Sequence, residues 1–359
     1  MKLLRYRLTL EARSPVHVGS GETWAGDADF VVEQGPGGQR TARLIDAMRA
    51  LDQLSDAEAA SIRDGRVARA VGQAGRQTCT IAMLPVRGAG NVNVVRALAR
   101  LSDGSPYLAG SAVKGAFRTA MLRRAIRAQR ASTERDDLGR NPRYAARGLE
   151  EQAFAVRLPG REVPVPNRDI NRLFRFSDFH PAGPARTAFV KMSAFRPGGT
   201  QAEIPIWTEA IEPGSRFTGT VTIEYGGDLW DAAIADGYPL PDNPFEAWAA
   251  EGRELARREA DYFRPIDQRL AGWFDALVAP SAMPITLGWG GGWRTKTAGI
   301  LMSPQMVGNL ARHFGGDLER WTRSREFPAT FPVTRKLAPA AGGLLVPPGW
   351  LTIAGLAPL

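Results

Sequence analysis

Cysteine is almost absent from this chain: Cys79 stands alone among 359 residues. A single thiol excludes an internal disulfide and any zinc site built on paired cysteines. Histidine is nearly as scarce. His17, His180 and His313 lie far apart, which argues against the paired histidines of a metal-independent ribonuclease. Lysine occurs only at positions 2, 114, 191, 296 and 336. No apolar run approaches the roughly 18–20 residues needed to span a bilayer, so no membrane partner is expected. The opening MKLLRYRLTLEARS alternates charged and apolar residues and lacks the apolar core of a signal peptide. It reads as a first β-strand of a cytoplasmic protein.

What is present is a globular composition, with 44% hydrophobic and 23% charged residues, enough to build a packed core. The length favours two domains, expected at 1–180 and 181–359. A net charge of +9 and a pI near 10.2 point to an anionic partner, through steering and counterion release. The excess is almost entirely arginine. That scarcity gives weight to Lys114, Lys296 and Lys336, which lie in Gly- or Thr-containing stretches.

Along the chain, residues 2–12 form a strand and 14–29 a Gly-rich loop. FVVE (30–33) is a strand, QGPGG (34–38) a turn, and 46–72 two short helices with Ser55 or Asp56 as N-cap. Strands follow at 79–87 and 107–109, then a helix over 111–130. Residues 131–148 are polar and arginine-rich, an exposed insertion. A second β pattern covers 172–179, 185–196 and 203–225, and 245–278 is one long helical segment. A second Gly-rich loop (287–300) leads into a helix, and the C-terminal stretch returns to loop and strand. This order fits α+β modules of the ferredoxin type better than parallel βαβ repeats.

LGWGGGWRTKTAGI (287–300) invites a nucleotide-binding reading that its spacing refuses. A Walker A loop needs glycine before Lys-Thr, and Thr295 precedes Lys296; G-x-G-x-x-G fails at Trp293. What remains is Gly288, Gly290, Gly291 and Gly292 with Trp289, Trp293, Arg294 and Lys296 at a helix entrance. Such glycines admit a close backbone, helix-end amides attract anions, and tryptophans offer stacking faces. The plainer alternative is a flexible turn with both tryptophans in the core.

In GSAVKGAFRTA (110–120), Ser111, Lys114 and Arg118 share one side of a helix, while Val113, Phe117 and Ala120 face a core. Arg123, Arg127 and Arg130 fall on the opposite side, as a solvated face. Cations at a helix start suit a phosphate, since stability alone favours acids there; the alternative is a capped helix with surface cations. Gly115 costs ~1 kcal/mol relative to alanine and implies close approach by another backbone. His17 lies in HVGSGE, and Asp27, Asp29 and Asp178 fit turn positions. No second acidic cluster stands at metal-ligand spacing, so neither a metal nor a catalytic centre is expected.

Five blocks, SPVHVGSG, YLAGSAVKGAFRTA, IPIWTEAIEPGSRFTGTVTI, LGWGGGWRTKT and VTRKL, resemble in this order the signatures of the repeat-associated mysterious proteins, the RAMP superfamily. The resemblance runs from about residue 5 to 337 and is nearest to the fifth-subunit family of the type III-A CRISPR Csm effector complex. It implies ferredoxin-like, RRM-related modules with Gly-rich loops and helical insertions, and no cofactor. It also implies binding of the crRNA 3′ region, a part in crRNA 3′-end maturation and antiviral defence, and no nuclease centre.

The partners it implies are crRNA and other Csm subunits, above all the neighbouring RAMP backbone subunit; host nucleases are a further class it raises. Carried over residue by residue, RNA contacts fall on His17, Gly19, Ser20 and Gly21, on Gly110, Ser111, Lys114 and Arg118, and on Gly288 to Gly292 with Trp289. They continue through Trp293, Arg294, Lys296 and Thr297 to Arg335 and Lys336 of the last block. The sequence departs from the pattern at Ala109, where the family has proline, and at Ala112, where it often has serine. Asp29 stands where the related target-cutting backbone subunit keeps an acid. That position, with an endoribonuclease acting on crRNA or another RAMP backbone subunit, forms the competing reading.

Overall fold

The computed structural model describes residues 1–62, 65–134, 141, 144–156, 168–196, 205–315, 331–332, 334–340 and 343–359. Alternation sets the first strand: along Lys2–Ala12, Leu8, Leu10 and Ala12 are buried, and the residues between them are not. This strand pairs antiparallel with Arg216–Tyr225 on one side and Trp350–Pro358 on the other. The start, middle and end of the chain are thereby tied together. Pro284–Thr286 and Phe174–Phe176 extend this sheet at its two ends, and His180–Pro181 joins Arg216–Tyr225. Helices Gly110–Arg127 and Pro244–Phe263 contribute to the same core, with Val113, Phe117 and Trp248 beside Leu8, Leu10, Phe217 and Val221. The Phe117 ring lies 4.8 Å from Phe174 and 5.6 Å from Trp248.

A second sheet runs in the order Gly19–Ala25, Val94–Leu98, Ile206–Ile211, Thr187–Phe195, Thr80–Arg87, Arg40–Ile45 and Phe30–Gln34. Arg335–Pro339 pairs with Thr187–Phe195, which places the last sequence block against this sheet. The architecture is α+β with mostly antiparallel pairing, as the order of elements predicts. Both sheets draw strands from either side of residue 180. No helix among the described residues is long and apolar enough to cross a membrane.

Several local expectations change. The segment 14–29 is not all loop: Gly19–Ala25 is an edge strand on Val94–Leu98, and being exposed nearly throughout it lacks the alternation that marks a half-buried strand. Residues 107–109 reduce to a single bridge, Leu108 to Phe179. Among the described residues of 46–72 there are three short helices, not two, and a fourth follows at Gln73–Thr78; Ser55 and Glu58 form a capping box. The long helical segment breaks before Asp267, whose carboxylate caps Arg269 and Leu270 and starts Gln268–Val278. The expected insertion at 131–148 lies partly outside the described residues.

Candidate nucleic-acid interface

The two Gly-rich loops, far apart in the sequence, meet in the fold. The Trp289 amide donates to the His17 carbonyl at 2.8 Å, a bridge between HVGSG and LGWGGGW. Gly288 makes this possible: it adopts φ +85°, and a β-carbon there would stand 2.5 Å from the His17 carbonyl oxygen. His17 itself is 3% exposed, and its Nδ1 lies 2.6 Å from the Glu209 carbonyl. A carbonyl only accepts, so Nδ1 carries the proton. Burial holds the imidazole below its ordinary pKa; the Glu209 carbonyl and carboxylate oppose that, and Arg96 and Lys296 reinforce it. Gly19 packs over this ring, where a β-carbon would reach within 2.8 Å of Nε2. Ser20 Oγ accepts the Glu22 amide at 3.2 Å, and Gly21 turns the strand with φ +96°.

Trp289 is half-buried, and two cations lie over its ring: Arg96 at 4.4 Å and Lys336 at 4.2 Å from the centroid. Lys296 is close enough to depress Lys336, which burial and Arg96 already hold below the usual lysine range. Burial alone lowers Lys296. Among the described residues, Arg96, Lys296 and Lys336 form no ion pair with a carboxylate. Three cations gathered without an internal counter-ion make a positive site that an incoming anion would neutralise.

The helix start at 110 is arranged differently from a bare phosphate cradle. The Gly110 amide donates to Asp178 Oδ1 at 2.7 Å, so its own chain supplies the acid that a helix N-terminus favours. A β-carbon on Gly110 would fall 2.4 Å from the Ser177 carbonyl oxygen, which explains the glycine. Ser111 is exposed and Lys114 half-buried. Burial lowers the Lys114 pKa, Asp169 raises it, and Arg118, Arg172 and Arg175 lower it further. Lys114 makes no hydrogen bond or ion pair with another described residue. Arg118 is engaged: it reaches Asp169 at 2.5 Å and Glu150 at 3.0 Å, with Phe154 4.0 Å beneath the guanidinium. Gly115 meets nothing within 4 Å, contrary to the expected approach of another backbone of this chain.

Of the arginines that follow, Arg123 and Arg130 turn inward. Arg123 is 2% exposed, and its guanidinium donates to the carbonyls of Arg294, Thr295 and Thr297. It thus ties the Gly110–Arg127 helix to the end of the Gly292–Lys296 helix, and burial pulls its pKa to about 10. Arg127 pairs with Glu251 and Arg130 with Asp236. The expected solvated face therefore holds only at Arg127, which is exposed, while Arg123 and Arg130 pack inward against groups from distant segments. Arg294 and Arg335 clasp opposite oxygens of the buried Glu259, the latter at 3.0 Å. Thr297 Oγ1 donates to the Trp293 carbonyl at 2.7 Å and accepts the Gly299 amide at 2.9 Å. Trp293 packs against Gly299 and, edge-on, Phe331.

Asp27 and Asp29 share the turn before Phe30–Gln34, and Asp178 lies on another segment. Asp29 Oδ2 accepts the Ala25 amide at 2.7 Å, Asp27 pairs with Arg69 at 3.4 Å, and Asp178 caps Gly110. No group of three or more potential metal ligands occurs among the described residues. Sequence reasoning missed Arg96, Glu209 and Glu259. Arg96 carried a faint signal as an exposed position between Val95 and Ala97 in an alternating strand.

A family model of the RAMP superfamily matches residues 9–295. The chain belongs to the RAMP superfamily. This RAMP chain is similar in fold to a chain of a type III-A CRISPR-Cas Csm–crRNA–target RNA ternary complex seen by cryo-EM. The TM-score is 0.69 at 21% identity, over 97% of this chain and 100% of that one. A crystal structure of T. onnurineus Csm5 matches with TM-score 0.59 and 19% identity, over 96% and 100%. No curated protein matches.

Proposed function

We propose that this RAMP protein is a non-catalytic RNA-binding subunit of a type III-A CRISPR effector assembly in the cytoplasm, capping the 3′ region of crRNA. The observation that carries this reading is the pair Arg96 and Lys336 over Trp289, with Lys296 near Lys336 and no carboxylate ion-paired to any of the three among the described residues. Likeness in fold to a chain from a Csm–crRNA–target RNA complex and to Csm5 supports the assembly role. In this reading Lys296, Lys336 and Arg96 take the phosphate backbone, with Ser111 and Lys114 as a second contact. Arg118, Arg294 and Arg335 act from inside, holding the elements that present those cations. A part in crRNA 3′-end maturation then follows from protecting or exposing that end, and neighbouring subunits of the assembly are the protein partners.

Cleavage by this chain would need acid and base within hydrogen-bond reach of one phosphate. His17, Asp29 and Asp178 instead each serve a hydrogen bond to a backbone group. The test is binding of the purified protein to a short single-stranded RNA across a salt series. Affinity falls with a log–log slope of about −0.7 per phosphate neutralised, and the slope shrinks in Lys296→Ala and Lys336→Ala. A flat salt response, or cutting of the RNA by the protein alone, overturns the reading.

A further inference from the structure

Beside the Trp289 cluster lies a cavity of about 170 Å³, lined in part by the Gly290–Gly292 backbone and by Lys336. Two buried donors in its lining residues have no hydrogen-bond partner: Arg335 Nη2 and Trp350 Nε1. Arg335 is 8% exposed and Trp350 fully buried. Buried donors are nearly always satisfied, so two in one wall call for an acceptor from outside the chain. The Arg335 Nε atom is spent on Glu259, and Nη1 on the Pro332 and Thr334 carbonyls, which fixes the guanidinium with Nη2 left over.

The rest of the lining is two-sided: Trp293, Pro332 and Pro347 form an apolar side, and Glu259, Arg294, Thr295 and Thr334 a polar one. The volume is several times the ~30 Å³ of a water molecule, and water alone would leave the apolar side without a matching surface. A bare phosphate would leave the same side unused. A planar ring with acceptors on its edge satisfies both halves of the lining.

We propose that this cavity seats one unstacked base of the RNA bound at the Trp289 cluster, a base carrying carbonyl oxygens, uracil or guanine. The proposal rests on the RNA-binding reading. Its carbonyl edge accepts from Arg335 Nη2 and Trp350 Nε1, whereas the amino group of adenine sets donor against donor. Lys336 and Gly290 border both cluster and cavity, so a strand on the cluster passes the cavity mouth.

The experiment scans a short uridine RNA with a single abasic site moved along it, against wild type and Trp350→Phe. One position should weaken wild-type binding about tenfold, within the range of one stacked base. The same position should have little effect in Trp350→Phe, which keeps an aromatic ring but loses the donor. In parallel, 5-bromouracil RNA irradiated with wild-type protein should crosslink to Trp293 or Trp350, a readout independent of how the variant folds. RNA binding with no sensitive position, equal sensitivity in both proteins, or crosslinks confined to other residues overturns the base pocket alone. Failure of wild type to bind any of these RNAs overturns the RNA-binding reading itself.

Discussion

Gly288 is pressed against the backbone of His17, with room for a hydrogen where any other residue would set a β-carbon 2.5 Å from a carbonyl oxygen. The contact registers one Gly-rich loop on the other, and through Trp289 it places the ring on which Arg96 and Lys336 converge. The cation cluster is therefore a product of backbone geometry, and its sensitivity to backbone change follows.

Gly288→Ala should disrupt the site from within. The residue has φ +85°, which an L side chain tolerates poorly, and the obstructing atom is backbone and unable to rotate away. We expect a stability loss of about 1–3 kcal/mol, read as a lower denaturation midpoint. RNA affinity should drop as well. Gly21→Ala provides the contrast: its φ is also positive, but nothing lies within 4 Å, so strain acts without collision and the loss is smaller.

Lys114→Ala and Arg118→Ala should separate binding from folding, although the two residues sit one turn apart on one helix face. Lys114 has no described partner, so its removal should cost within about 0.5 kcal/mol of stability while weakening retention of crRNA. Arg118 holds Asp169 and Glu150 and covers Phe154, so its removal leaves two half-buried carboxylates facing each other. We expect Arg118→Ala to lower the melting temperature by several degrees. A normal melt for Arg118→Ala, or unchanged RNA retention for Lys114→Ala, would reverse the assignment of roles.

How far these roles could be read in the sequence depends on distance along the chain. Val113, Phe117 and Ala120 announce a buried helix face by spacing alone, and all three are buried. The glycines of 288–292 announce a backbone that ordinary residues cannot follow, and Gly288, Gly290 and Gly292 have positive φ. The partner of each arginine is another matter. Arg294 and Arg335 meet Glu259 across 35 and 76 residues, and Arg123 reaches Thr297 across 174. No local pattern encodes such pairs, so a phosphate-binding arginine and a core arginine look alike until the helices are packed. Lys296 and Lys336 stand out in the sequence because lysine is so scarce, and the fold brings the two near each other beside Trp289.

Acidification should weaken the fold through His17. Burial, with help from Arg96 and Lys296, keeps the folded imidazole below its ordinary pKa of 6.5 against the pull of Glu209. Below that value the unfolded chain binds a proton that the native state resists, so stability falls as pH falls. The contribution is fully present above pH 6.5 and is lost progressively beneath it, until the native imidazole also titrates. His17→Asn retains a donor near the Nδ1 position for the Glu209 carbonyl but does not titrate. Urea midpoints between neutral and mildly acidic pH should therefore shift less in His17→Asn than in wild type. An equal shift in both proteins would mean that other groups carry the acid sensitivity.

Cutting the chain at residue 180 should yield two pieces that do not fold alone. The first strand, Lys2–Ala12, has its entire antiparallel pairing with Arg216–Tyr225 and Trp350–Pro358. A fragment 1–180 would thus expose Leu8 and Leu10, both wholly buried in the intact chain, together with two unpaired strand edges. The fragment 181–359 faces the converse loss, since Thr187–Phe195 pairs with Thr80–Arg87 and Ile206–Ile211 with Val94–Leu98. The two modules expected from length are then woven together in space, each needing strands from both fragments. Expressed separately, 1–180 and 181–359 should be insoluble or lack a cooperative melt. Expressed together, they should associate into one species that melts cooperatively and binds the same RNA, because the missing pairings are restored without the covalent link. A soluble, cooperatively melting 1–180 on its own would show that the first half carries a complete core.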